Sequence, residues 1–326
     1  MKTSRSLLCI LNLLLIATAH AGDAFFSPDG KSVTFLPIFD DASLRRVDLQ
    51  TKKVEKIALN LPKDQGVVSL AAGSDGEALL LTAKSVWVHD AKGTRKVCDV
   101  GEARDASNLA VAPSKDAHLA DWMFIAGAEK GSPTRRIFFG RKPREKTFKA
   151  TFCRRAGGVG AGAFTPDGRF FFANDGDLWE GGFDNEDGMT TALGVRIAPL
   201  AFLNTDLANA GSMYVDSIMP AGTGIYVALG GHHLGQLLRI AMNPKSALAE
   251  GSGANEALKD HYAYLAKSLA SVQIIETDGD SIRNTAAISV KGSERVFFTQ
   301  GTSLMKLYVW DRATGKTEQV GEVEDK

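Results

Sequence analysis

Proline is scarce in this 326-residue chain, with ten residues, about 3% of the total against a usual ~5%. That shortage argues against Pro-rich linkers. Net charge is missing as well, because 38 basic side chains balance 38 acidic ones. A nucleic-acid binder held by a general basic surface is therefore not expected. Beyond residue 21 no unbroken apolar run approaches the ~20 residues that a bilayer-spanning helix needs. Also absent are a Gly-x-Ser-x-Gly nucleophile elbow, a Gly-rich phosphate loop ending in Lys-Ser/Thr, and a His-Glu-x-x-His zinc motif. Glycine, by contrast, is abundant: 33 residues, about 10% against a usual ~7%. With 44% hydrophobic and 23% charged residues the chain reads as globular, rich in tight turns.

The N-terminus has the layout of a secretory signal. Lys2 and Arg5 precede a nearly apolar stretch, Leu7 to Ile16, which is followed by Ala19-His20-Ala21. Small residues around one variable position predict cleavage after Ala21. The stretch is too short to span a bilayer, and Cys9 is not in a lipoprotein acylation context. The expectation is a single exported domain, residues 22–326, working in the periplasm or outside the cell. Without Lys2 and Arg5 it carries 36 basic and 38 acidic groups. Cys98 and Cys153 remain in it. An oxidising compartment permits a bridge between them if their Cα atoms come within about 7 Å; two separate buried thiols is the other reading.

Internal repeats point to the fold. Ser27-Pro28-Asp29-Gly30-Lys31, Gly73-Ser74-Asp75-Gly76-Glu77 and Thr165-Pro166-Asp167-Gly168-Arg169 share one turn chemistry. Proline presets φ, aspartate bonds its own backbone and glycine accepts positive φ. Weaker versions start near Pro113, Met219 and Lys291. A strand-like run follows each turn: Ser32 to Leu36, Ala78 to Thr82, Trp122 to Ala126, Phe170 to Ala173, Ile225 to Leu229 and Arg295 to Thr299. A further run ends at an acidic turn in Leu44 to Asp48, Val86 to Asp90, Leu178 to Asp184 and Leu307 to Asp311. Spacings of 41 to 54 residues with four short strands each predict an all-β, six-bladed β-propeller, with seven blades as the alternative. The last spacing, 72 residues, implies an insertion.

Ser27 to Phe35 followed by Leu44 to Thr51, and Thr165 to Arg169 with Asp177-Leu178-Trp179, resemble the repeat of TolB-like, WD-repeat-like propellers. That resemblance implies the fold, and a range of roles that includes periplasmic partner binding, peptidase propeller domains and polysaccharide lyases. Blades three and five depart from the repeat.

Residues 254–271 break the strand pattern. Leu258, Tyr262, Leu265 and Leu269 recur at helical spacing, predicting an amphipathic helix inserted in blade five. Gly157 to Gly162 lacks the helix of a dinucleotide loop and reads as an inter-blade loop where backbones approach closely.

In a propeller, the face carrying the loops between second and third strands, together with the channel, is where function concentrates. On that argument the candidate binding residues are His232, His233, Arg154, Arg155, Asp175, Asp177, Arg141 and Lys142. Adjacent histidines on one strand point opposite ways and rarely share a metal. His89, His118 and His261 are placed elsewhere. No metal or catalytic residue is assigned, and no cofactor. Asn174-Asp175-Gly176-Asp177 and Asp278-Gly279-Asp280 could supply calcium ligands, although Asp-Gly turns also arise for geometric reasons. Residues 135–155 hold nine basic groups and one acid, Glu145, whereas 174–187 hold six acids and no base. Mutual neutralisation across the surface is one reading, and a basic patch for an anionic glycan or protein is the other. The expected function is an exported, monomeric binding or scaffolding protein. The alternatives are a propeller lyase or hydrolase using His232 or His233 with rim carboxylates, and a purely structural module.

Overall fold

The computed structural model describes residues 23–38, 40–73, 76–101, 103–112, 122–129, 135–141, 149–151, 159–174, 177–182, 193–199, 214–231, 234–244, 246, 272–275, 277, 281–301 and 303–324. All regular structure among them is strand. Blade 1 is β1 (Ala24–Phe26), β2 (Ser32–Phe35), β3 (Ser43–Asp48) and β4 (Val54–Ala58). Blade 2 is β5 (Val67–Ala72), β6 (Ala78–Thr82), β7 (Ser85–Asp90) and β8 (Gly93–Asp99). Blade 3 is β9 (Ala103–Val111), β10 (Trp122–Glu129), β11 (Arg135–Arg141) and β12 (Lys149–Thr151). Blade 4 is β13 (Val159–Phe164), β14 (Phe170–Asn174), β15 (Asp177–Gly182) and β16 (Leu193–Pro199). Blade 5 is β17 (Tyr214–Ala221), β18 (Gly224–Gly231), β19 (Leu234–Ala241) and β20 (Gln273–Ile275). Blade 6 is β21 (Ile282–Val290), β22 (Ser293–Gln300), β23 (Leu304–Asp311) and β24 (Lys316–Glu324).

Each blade is a four-stranded antiparallel meander, giving six sheets. The first strands touch in order, β1 to β5, β9, β13, β17, β21 and back to β1, so the sheets stand radially around a closed channel. No seventh sheet occurs among the described residues. The second strands predicted from the turn signals are β2, β6, β10, β14, β18 and β22. The predicted helix at 254–271 lies outside the described residues, in the interval between β19 and β20 where the long spacing falls. One expectation changes: the glycine run is in part strand, because β13 starts at Val159. The close approach is real, however. A Cβ at Gly162 would sit 2.7 Å from Phe124 and 2.9 Å from Phe170.

Middle strands are buried on both faces, which is why they read as unbroken apolar runs. In β14, Phe170 and Phe172 pack toward blade 3 while Phe171 packs toward blade 5. In β6, Leu80 faces blade 1 and Leu79 and Leu81 face blade 3. The apolar core is thus six inter-blade layers, and burying each large side chain contributes ~1.5–3 kcal/mol. Alternate side chains on a strand point to opposite faces, so one strand serves two layers.

The turns behave as their chemistry predicts. Asp29 Oδ1 accepts from Ser27 Oγ (2.8 Å) and Lys31 N (3.1 Å), with Gly30 at φ +67°. Asp48 Oδ1 accepts from Thr51 N (2.7 Å), and Asp311 Oδ1 from Ala313 N (2.8 Å). These acids stabilise turns.

Among the described residues no blade shares strands from both chain ends, and side chains join the blade 6–blade 1 junction. Phe35 and Phe297 lie 5.6 Å apart, Arg295 donates to Gly30 O (2.7 Å), and Lys52 pairs with Glu318 (2.8 Å). Blades 5 and 6 are joined by a buried clasp on Glu294, 2% exposed. Its carboxylate accepts from Arg239 Nε (3.0 Å), Arg312 Nη1 (2.7 Å), Tyr226 OH (2.5 Å), and Thr223 N and Oγ1 (both 2.9 Å). Burial alone would raise its pKa, but these donors hold it at about 2. Blades 4 and 5 have a smaller counterpart. Arg169 chelates Glu180 (2.8 and 3.1 Å) and donates to Asn243 O (2.5 Å).

Candidate functional site in the channel

Five of the six innermost strands carry an extra residue at one level. Register shifts occur at Val67/Ser69 in β5, opposite Ile125/Ala126 in β9, at Val159/Gly162 in β13, at Val215/Ser217 in β17 and at Arg283/Ala286 in β21. A bulge leaves a residue unpaired and re-aims its side chain. Asn108 (φ +50°) and Asn284 (φ +46°) take the left-handed conformation at these positions, which asparagine tolerates better than most residues.

Near this level each blade buries one small or polar residue: Asp23, Ser69, Asn108, Ala161, Ser217 and Thr285. Most of them tie a blade to the next. Asp23 Oδ1 accepts from Leu70 N (3.2 Å), Ser69 Oγ from Leu109 N (3.0 Å), and Asn108 Oδ1 from Gly162 N (2.9 Å). Ser217 bonds Thr285 through their hydroxyls. Ala161 breaks the series, since it has no acceptor for blade 5.

Asp216 is the bulged residue of β17, and it does something different. It is 6% exposed. Burial raises its pKa to about 7, against the opposing pull of Arg283 on β21. Asp23 is also pushed well above the carboxylate range, first by burial and further by the charge of Asp216, while hydrogen bonds from Ser69 and Leu70 oppose this. The charge of Asp216 thus reaches Asp23 across β21, which lies between β17 and β1. Asp23 precedes β1, Asp216 is third in β17 and Arg283 second in β21. All three therefore lie at the starting end of the inner strands, the end that carries the blade-to-blade connections.

A carboxyl that titrates near neutrality beside a guanidinium can accept a hydrogen bond from a ligand hydroxyl or amine, or exchange a proton with it. Among the described residues no group of three or more His, Cys, Asp or Glu is arranged to hold a metal ion.

The sequence-derived candidates do not assemble into this site. Asp177 opens β15, is half-buried, and pairs across the hairpin with Asn174. Arg141 is the last residue of β11, in register with Trp122. His232, His233, Arg154, Arg155, Asp175 and Lys142 lie outside the described residues, as do Cys153, His118, His261 and the Asp278–Asp280 segment. Cys98 is buried on β8. His89 ends a third strand, as expected, with its pKa lowered by burial. Asp40, between β2 and β3, is occupied within its own blade. Burial would raise its pKa, but Lys56 (2.7 Å), Ser43 (2.6 Å) and Arg45 bring it to about 2.

Sequence reading passed over Asp23, Asp216 and Arg283 because they sit inside or beside strand runs. A signal existed nonetheless. Asp23, Ser69 and Ala161 each precede the turn-opening residues Ser27, Gly73 and Thr165 by four positions.

Solved structures with the same arrangement are numerous. Regucalcin from Agrobacterium tumefaciens, a calcium-binding protein, aligns over 86% of this chain and 82% of its own with a TM-score of 0.54 at 13% identity. A luciferin-regenerating enzyme aligns over 86% and 83% with a TM-score of 0.54 at 10% identity. The chain has a β-propeller fold. At these identities the likeness concerns the fold alone. No protein-family model and no curated protein matches the chain, and no described helix is long and apolar enough to cross a membrane.

Proposed function

We propose that this propeller is an exported binding protein that takes a small polyhydroxylated, sugar-like ligand at the channel mouth around Asp216. One observation carries the reading: a carboxyl nine-tenths buried, whose pKa that burial raises to about 7 while the charge of Arg283 on the neighbouring blade acts on it. Burial disfavours the ionised carboxyl, and a hydrogen bond from a ligand hydroxyl would offset part of that cost. Arg283 supplies a donor beside it, so hydroxyls can be bridged between the two groups. The signal-like N-terminus supports work in the periplasm or outside the cell, and the TolB-like, WD-repeat-like repeats fit a monomeric binder. The site shares its end of the ring with Gly231 and Leu234, the facing ends of β18 and β19.

The test is calorimetric titration of the purified protein with a panel of neutral and acidic oligosaccharides, repeated on Asp216→Leu. Saturable binding that the substitution abolishes supports the reading; absence of binding across the panel, or binding that survives the substitution, rejects it. N-terminal sequencing of the exported protein should begin at Gly22. A second reading, polysaccharide hydrolase or lyase, is favoured by the titration of Asp216 near neutrality, which suits a general acid or base. Turnover of a bound oligosaccharide, lost in Asp216→Asn, would separate it from pure binding.

A further inference from the structure

The outer edge of blade 5 is built differently from those of the other blades. A sheet edge presents unpaired backbone groups, and proteins usually guard it with charge. Outer strand β4 carries Glu55 and Lys56, β8 carries Arg95, Lys96 and Asp99, β12 carries Lys149, β16 carries Arg196, and β24 carries Lys316 and three glutamates. Strand β20, Gln273-Ile274-Ile275, carries none. Ile275 is buried against the blade, whereas Ile274 is 53% exposed, one of two large apolar side chains exposed among the described residues.

This unguarded edge borders a cavity. Because β20 has only three residues, it covers little of the facing side of blade 6, and a cleft of about 740 Å³ opens between them. Gln273 and Ile275, on the face of β20 toward blade 6, form one wall, and Tyr308, Trp310, Thr317 and Lys316 form the other. The volume suits a short peptide or a comparable ligand. Among the described lining residues none is acidic, and Lys316 is the one charged group.

We propose that β20 is a docking edge for an extended peptide strand of a partner protein, with alternate apolar side chains and an acidic residue. The strand would add to blade 5 on the side away from β19, set one apolar side chain beside Gln273 and Ile275 at the cleft and place its carboxylate near Lys316. Backbone pairing would supply affinity, and the cleft would supply specificity. A second copy of the chain fits less well. A two-fold contact would set each copy's Lys316-lined cleft against the other's, bringing like charges together. This site lies on the outer rim and does not depend on the channel.

The probe is a set of capped, fluorescent hexapeptides alternating valine and threonine with one central aspartate. Controls carry lysine at that position, or N-methyl groups at alternate residues. With the purified protein, anisotropy should show saturable binding of the aspartate peptide. The lysine version should bind about tenfold more weakly, and N-methylation on the pairing edge should abolish binding. Ile274→Lys restores the missing edge charge at an exposed position. It should weaken the aspartate peptide at least about tenfold while leaving the thermal midpoint close to that of the parent. Lys316→Glu should reverse the charge preference. Three results would overturn the proposal: no peptide binding by about 1 mM, binding indifferent to N-methylation or to Ile274→Lys, or a concentration-dependent dimer that Ile274→Lys dissolves.

Discussion

Replacing Glu294 with glutamine tests whether the buried clasp holds blades 5 and 6 together. The substitution keeps shape and removes charge. Arg239, 8% exposed, would then face a neutral amide, and the Tyr226 hydroxyl would lose its carboxylate acceptor. Breaking a buried ion pair by neutralising one partner costs ~3–5 kcal/mol. The depressed pKa gives a second route to the magnitude. A carboxyl held at about 2 instead of 4.5 is worth ~3 kcal/mol, at ~1.4 kcal/mol per pH unit. The two routes agree, so Glu294→Gln should lose ~3 kcal/mol at pH 7, read from urea unfolding with an unchanged slope. The pH profile sharpens the test. A group whose folded pKa is depressed stabilises above its unfolded pKa, and that stability disappears as pH falls through the folded value. The gap between parent and variant should therefore be full at pH 6–7 and shrink from about pH 4.5 toward pH 2. A loss under about 1 kcal/mol at pH 7, or a gap that does not narrow in acid, would refute the argument.

Asp216→Asn should act in the opposite sense. A raised carboxyl pKa favours folding below the unfolded value near 3.8 and costs stability as pH rises to about 7. Relative to the parent, the asparagine variant should gain up to ~4 kcal/mol between pH 4 and pH 8, measured by urea unfolding at both values; a pH-independent difference would contradict the burial argument. Asn108→Ala removes the acceptor of Gly162 N and places alanine at φ +50°, so ~2 kcal/mol should be lost. Exchange of the Gly162 amide should quicken in the same variant. Gly162→Ala drives a methyl between Phe124 and Phe170 and should cost ~1–3 kcal/mol in thermal or urea unfolding. Wild-type stability there would mean that the rings yield freely.

Much of the fold was legible because turn chemistry and strand burial are local. Pro-Asp-Gly and Asp-x-x-Thr segments specify their own geometry, and Phe170-Phe171-Phe172 can be hydrophobic throughout because both faces of β14 are covered. The candidate site was not legible in that way. The loop-face argument selected Asp177 and the histidines by position, yet the buried polar residues of the candidate site lie within or beside the inner strands. A lone aspartate in an apolar run reads as a strand residue until something shows what lies opposite it. Likewise Glu294 opens a strand after a turn and gives no hint that five donors converge on it.

By itself, then, the chain determines where strands begin, which turns join them and that they repeat, since those depend on φ preferences and on alternation within a few residues. Only the closed ring decides that Asp23, Asp216 and Arg283 share one volume of space. It also decides that β20 is the outer edge left without charge beside a cleft. Both follow from contacts between blades that are far apart in sequence, where burial and neighbouring charge, not residue type, set what a carboxyl or an edge can do.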